Sequence, residues 1–336
     1  MSFDVHFKPV VPRLRGSFPD APVRLGMHFK SFAYSPLIRR AGLSASQGGP
    51  LNLLEVKPEE FRGAETLFTL QGERFRPTPA NVERLVAEAS ALGMDVQFHF
   101  PTSLEGADLN PGDPAKHDLI LSLFEAIEET IGQYHLQPNV TLHPPVLTWG
   151  GRELLPRELH GQALTSMNDF LRKLALESWA GRGNLVVGVE NQADPKTDSH
   201  CLGYEVRQFA TILAETPSWV NVTIDTGHRI LTRGFKVKNI LEYLASIGKS
   251  VVNFHFHQNH GLRTTSYKDD EHQLPVGGMI PGHYNYLRRA VQEGIPVVIE
   301  VNIRAENLQT YYETCTGIRQ TLETMRAECW RGVSHG

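Results

Sequence analysis

Apolar and polar positions follow two alternating rhythms along this chain. Short runs rich in Val, Ile and Phe recur between longer segments of helical period. The short runs are VRLGMHF (23–29), LNLLEV (51–56), MDVQFHF (94–100), NVTLH (139–143), LVVGVE (185–190), VNVTID (220–225), VVNFHFH (251–257) and PVVIEV (296–301). Runs of this length and composition predict strands buried on both faces. The segments between them predict helices. NVERLVAEASALG closes on Gly93, a C-terminal stop. DPAKHDLILSLFEAIEETIG carries Asp113 as a cap and Pro114 in its first turn. Further helices are expected over 155–181, 204–215, 237–248 and 284–294, with a last one from about residue 304.

Eight buried strands, each followed by a helix, predict an α/β protein with a parallel sheet, and eight strands close a (β/α)8 TIM barrel. An open, doubly wound sheet is the alternative. Two features oppose it. No glycine-rich phosphate loop follows the first strand, and polar residues collect at the C-terminal ends of many strands, where a barrel keeps its active site. The expected organisation is an N-terminal arm (1–22), one barrel domain (23–328) and a short tail (329–336).

Composition narrows the function classes. The chain has 336 residues, is 40% apolar, and has a formal net charge of -4. That charge argues against a whole-protein pull toward nucleic acid. No apolar run reaches membrane-spanning length, and the N-terminal residues lack the apolar stretch of a signal peptide, so a cytoplasmic protein is expected. The three cysteines show no metal-type pairing. The 15 histidines are unusual, because several end predicted strands.

In chain order, strand three ends in His99 and strand four in His143, strand five in Glu190, and strand six in Asp225 with His228 just beyond. Strand seven ends in His255 and His257, the loop after it carries Asp270 and His272, and strand eight ends in Glu300. Burying so many ionisable groups at one barrel end is costly without a compensating charge. A divalent cation supplies that charge, and mixed imidazole and carboxylate ligands suit Zn, Mn or Fe. Within IDTGH, Asp225 leaves the strand and His228 returns after a tight glycine turn, so both can face one ion. Asp270 and His272 stand two apart and point the same way in an extended loop. His255 and His257 share the inward parity with Asn253, so either can be the strand-seven ligand.

These motifs (GMHFKS, LHPP, VEN, IDTGH, HFHQNHG, DDEHQLPVGG and VIEVN) in this order resemble the xylose isomerase-like TIM-barrel superfamily. That superfamily includes sugar isomerases and epimerases and endonuclease IV, an AP endonuclease of family 2. The resemblance runs from about Arg24 to Arg304. It implies a four-ligand metal site at Glu190, Asp225, Glu300 and one strand-seven histidine, with His255 favoured because HFHQN is similar to the common HLHDN. The larger three-zinc set of the endonuclease matches His99, His143, His228, Asp270 and His272 as well, so one to three ions per chain are implied. The loops RILTRGF and QNHGLRTTSYK depart from the endonuclease pattern.

Two chemistries fit one site. In a sugar-type isomerase or epimerase, Glu190 and Glu300 move the proton as base and acid. His257 or His228 would hold a substrate hydroxyl, and Trp149 could stack on the sugar. His28 and Glu55 would line the pocket wall, with Lys57 neutralising Glu55. In a multinuclear zinc phosphodiesterase acting on abasic DNA, the same glutamates would bridge metals. The latter needs a basic rim, for which Lys30, Arg39, Arg40, Arg62, Arg74 and Arg76 are candidates; solvated positions on long loops are the preferred explanation of them. A non-catalytic metal or sugar binder is a third reading. The expected partner is a carbohydrate-like small molecule, ahead of nucleic acid and with no membrane; the oligomeric state stays open. His117, His135 and His160 are expected on helix surfaces.

Overall fold

In a computed structural model, the described residues are 23–149, 152–153, 155–180, 183–193, 201–230, 244–259, 272–275 and 281–331. The expected arm (1–22) and residues 332–336 of the expected tail lie outside them. All eight predicted strands form: β1 Leu25–Phe29, β2 Leu53–Val56, β3 Asp95–His99, β4 Asn139–Leu142, β5 Val186–Glu190, β6 Val220–Asp225, β7 Val251–Phe256 and β8 Val297–Ile299. They pair in parallel, each with its sequence neighbours, and β1 pairs with β8 to close the barrel. The open sheet is therefore excluded.

Helices α1 (Tyr34–Arg40), α2 (Pro79–Leu92), α3 (His117–Tyr134), α4 (His160–Leu174), α5 (Val206–Ile212), α6 (Thr226–Ile230), α7 (Pro281–Glu293) and α8 (Leu308–Arg331) lie between and after the strands. Gly93 ends α2 in the left-handed conformation at φ +66°, as a glycine stop requires. Asp113 accepts a hydrogen bond from the Ala115 backbone N–H at 2.9 Å and caps the turn that leads into α3. Helix α8 runs through residues 329–331, read from sequence as the start of a tail. Most of the helix expected over 237–248 lies outside the described residues, of which 244–246 are helical. Among the described residues, no helix is long and apolar enough to cross a membrane.

Alternate strand residues face outward and inward. Leu54, Val56, Val187, Val189, Ile224, Phe254 and Phe256 pack in the core with helix residues such as Leu85, Phe124, Phe170 and Phe209. The inward set is polar: His28, Glu55, Gln97, His99, Thr141, Glu190, Thr223, Asp225, Asn253 and His255 are all buried. Buried polar groups need partners, and the axis supplies them. Gln97 and Asn253 donate to Glu55 Oε1 at 2.8 Å each, and the Thr141 hydroxyl donates to it at 3.2 Å. Gly188 makes room for this layer: a Cβ there would come within 2.3 Å of the Thr223 hydroxyl.

One surface expectation is corrected. His117 is buried, and its ring bonds the Pro111 carbonyl at 3.2 Å and the Ser166 hydroxyl at 3.1 Å. It stands on the same face of α3 as the buried Ile120, Leu121 and Phe124, at the three, four and seven spacings of an amphipathic helix. His135, just past α3, is exposed, and His160 is half-buried against the Leu155 carbonyl at 3.3 Å.

Candidate functional site

The inward parity of each strand carries its terminal polar residue to the C-terminal mouth. There, three carboxylates converge on one ring nitrogen. His255 Nδ1 lies 2.6 Å from Glu190 Oε1, 3.1 Å from Glu300 Oε2 and 4.0 Å from Asp225 Oδ2. His99 and His143 approach Glu190 from the neighbouring strands, their Nε2 atoms 3.9 and 2.8 Å from its Oε2. Gln192 donates to the same oxygen at 3.1 Å.

Local sequence holds these groups in place. Asn191, which follows Glu190, accepts from the Asp225 backbone N–H at 2.7 Å and donates to the Asp225 carbonyl at 3.0 Å. The turn after Asp225 then points the His228 backbone N–H back to Asp225 Oδ1 at 2.7 Å. Gly227 is required in that turn. A Cβ there would sit 2.1 Å from Cε1 of His257, whose ring lies directly over the glycine.

A second group forms nearer the rim, where His228, His257 and His272 each offer a ring nitrogen within 4.8 Å of the others. Carbonyl and carboxylate oxygens only accept, so their partners fix the tautomers. His228 Nδ1–H donates to the Asn191 carbonyl at 2.9 Å, and His272 Nδ1–H donates to the Glu300 carbonyl at 2.7 Å. His257 Nε2–H donates to Asp225 at 2.9 Å. Asp270 lies outside the described residues, as does the side chain of Trp149.

The electrostatics follow from the packing. Burial alone would raise the pKa of Glu190, but His255 and His143 beside it hold it well below the carboxylate range. Burial opposes the charge on Glu300 too, yet Lys57, His255 and His28 hold it well below that range. Burial would lower His255, and Glu55, Glu300 and Glu190 around it outweigh that and raise it. For His143 burial is likewise outweighed, by the charge of Glu190 and a hydrogen bond with the Cys201 thiol, which push it up to about 10. Burial and then Lys57 press His28 down to about 3.

Lys57 does not neutralise Glu55, as its sequence proximity suggested. Both point up the axis, and two residues of strand carry Lys57 roughly 6–7 Å closer to the mouth, where its Nζ meets Glu300 Oε1 at 3.0 Å. Glu55 lies beneath the mouth, fully buried, 2.8 Å from both His28 Nε2 and His255 Nε2. Among residues that sequence reasoning missed, Gln192, Asn191 and Gln97 had a usable signal: each follows or precedes a strand-end acid or histidine by one or two positions. Cys201 had none, since only the fold brings it to His143.

The mouth fits a divalent ion. Two ligands about 2.0–2.2 Å from one ion stand roughly 3–4 Å apart; His255 Nδ1 has that spacing to Glu300 at 3.1 Å and Asp225 at 4.0 Å, with Glu190 nearer, at hydrogen-bond distance of 2.6 Å. Among the described residues, His99 Nε2 and Glu300 Oε2 are buried and make no hydrogen bond, as waiting ligands would. His99, Glu190, His255 and Glu300 have ligand atoms within 4.8 Å of one another, and so do Asp225, His257 and Glu300.

No protein-family model matches the sequence, and neither does any curated protein. Solved structures do match the fold. A D-tagatose 3-epimerase-like protein shares 18% identity with a TM-score of 0.63, over 91% of this chain and 100% of that one. The D-psicose 3-epimerase of Clostridium cellulolyticum H10 shares 12% identity with a TM-score of 0.56, over 91% and 99%. An AP endonuclease of family 2 from Brucella melitensis shares 11% identity with a TM-score of 0.51, over 84% and 94%. Likeness at such identities establishes architecture, and the architecture of this chain is the closed (β/α)8 barrel.

Proposed function

We propose that this protein is a divalent-metal-dependent isomerase or epimerase of sugars or sugar-like polyols. The observation that carries this reading is the pair of buried glutamates, Glu190 and Glu300, flanking one histidine nitrogen at 2.6 and 3.1 Å. Glu190, Asp225, His255 and Glu300 would hold the ion, which would polarise the substrate oxygens and acidify the carbon between them. Glu190 would take the proton from that carbon and Glu300 would return one from the other side. Both are held ionised by their neighbours, so either can accept first, and the partner that returns a proton would first take one from a substrate hydroxyl or solvent. Lys57, bonded to Glu300 at 3.0 Å, holds that carboxylate in its charged form. His143, protonated beside Glu190, would donate to a substrate oxygen.

The rim supports a small substrate over a polyanion. Of the basic loop residues, Lys30 faces Glu60 at 3.4 Å, Arg39 faces Glu88 at 2.8 Å and Arg74 is paired with Glu125. A phosphate-tracking groove would leave such charges for the backbone of nucleic acid.

The direct test incubates manganese- or zinc-loaded protein with ketopentoses and ketohexoses in D2O. The expected result is deuterium at the carbon beside the carbonyl, with the epimer or isomer appearing alongside. No exchange with any sugar would overturn the proposal. A second reading, a multinuclear phosphodiesterase acting on abasic DNA, draws on the further histidines His99, His143, His228 and His272. Cleavage of an abasic-site duplex without sugar exchange would favour it.

A further inference from the structure

The metal reading uses residues of the later strands and leaves the buried pair His28 and Glu55, on β1 and β2, without a task. Their geometry is specific. The two oxygens of Glu55 are divided between scaffold and site. Oε1 takes three neutral donors, Gln97 at 2.8 Å, Asn253 at 2.8 Å and Thr141 at 3.2 Å, from three different strands. Oε2 accepts from His28 Nε2–H at 2.8 Å, and His255 Nε2 lies 2.8 Å from the same oxygen as a close ion-pair contact outside hydrogen-bond geometry. His28 then turns its Nδ1 to Glu300 Oε1 at 3.5 Å. A carboxylate buried only for stability would need donors, and the three on Oε1 supply them. The two rings on Oε2 link it instead to both sides of the mouth.

We infer that Glu55 and His28 are positioning residues: Glu55 holds the ring of His255 by its Nε2 edge, so that Nδ1 is the atom presented to Glu190, Asp225 and Glu300, and His28 extends the same brace to Glu300. The inference rests on the metal reading of the mouth. Its physical basis is general. A ligating imidazole is oriented by the group that its other nitrogen meets, and losing that partner weakens metal binding about 10–100-fold. Neither residue needs to touch substrate, since Glu55 is fully buried and His28 is 2% exposed.

Zinc alone, titrated into the metal-free full chain against a chromophoric chelator, separates the possibilities. Glu55→Gln is expected to weaken zinc binding about 10–100-fold, and His28→Gln by a smaller factor. In zinc-loaded wild type, imidazole 15N spectra should show His255 protonated at Nε2 and ligating through Nδ1. That spectrum needs no variant, so it decides the matter even if Glu55→Gln fails to fold. Ligation through Nε2, or undiminished affinity in a folded Glu55→Gln, would overturn the brace while leaving the metal site standing. A wild-type chain that binds no zinc would overturn the metal reading itself, and the brace with it.

Discussion

His255, on β7, and His257, one residue past its end, stand two residues apart and are both fully buried, yet they live in different chemistry. His255 is ringed by acids: Glu190, Glu300, Asp225 and Glu55 all lie within 4.0 Å of its nitrogens. His257 donates to Asp225, and imidazoles crowd it, with the His272 ring stacked on it at 4.2 Å and the His228 ring 5.6 Å away. One rise along the barrel axis separates a charge-dense floor from an imidazole-rich rim. Residue type and parity made the two histidines equivalent; their neighbours across the barrel make them different.

The comparison breaks most decisively at the floor. Glu190→Gln should lower kcat by about 10²–10⁴-fold, read in the sugar-exchange assay, and a variant with unchanged kcat would remove Glu190 from the chemistry. Next, His255→Ala should weaken the tightest ion by more than about 100-fold, whereas His257→Ala, which removes only a hydrogen bond to Asp225, should weaken it by no more than the roughly 10–100-fold of a supporting partner. Chelator competition on both variants reads this directly, and equal losses would erase the distinction between floor and rim. Gly227→Ala sharpens the rim. The new methyl would have to displace the His257 ring, so a loss of about 1–3 kcal/mol in unfolding free energy is expected, with the floor's ion affinity retained.

Two smaller effects concern pH. Lys57 is the strongest of the neighbours that pull Glu300 down against burial. A depressed carboxylate stays ionised above its ordinary range and loses its charge as pH falls through the folded value. Lys57→Met should therefore move the acid limb of the kcat/KM profile to higher pH. His143 is shifted the other way, up to about 10 from 6.5. Its stabilisation is complete below the ordinary value and is lost as pH rises through the raised one. The melting temperature of metal-free protein should thus fall between roughly pH 6.5 and 10, and His143→Gln should flatten that fall.

The barrel was legible because parallel strands buried on both faces leave continuous apolar runs, and all eight runs became strands. The mouth was legible in part for the same reason: strand ends with inward parity must share a space, and Glu190, Asp225, His255 and Glu300 do so. What parity cannot show is height along the axis and the partner across it. Lys57 was read with Glu55, two residues away, and is bonded to Glu300, 243 residues away. Glu55 was read as pocket wall and lies beneath the mouth against His28 and His255. His117 shows the same gap: a lone helical histidine suggests the surface, while its place on the buried stripe of α3 puts it inside.

The central claim is that the floor around His255 is a metal site, and equilibrium dialysis of the metal-free chain against zinc or manganese tests it most directly. The account predicts saturable binding of at least one ion per chain, lost in His255→Ala and in Asp225→Asn. A folded wild-type chain that takes up no ion, or variants that take up as much as wild type, would contradict it.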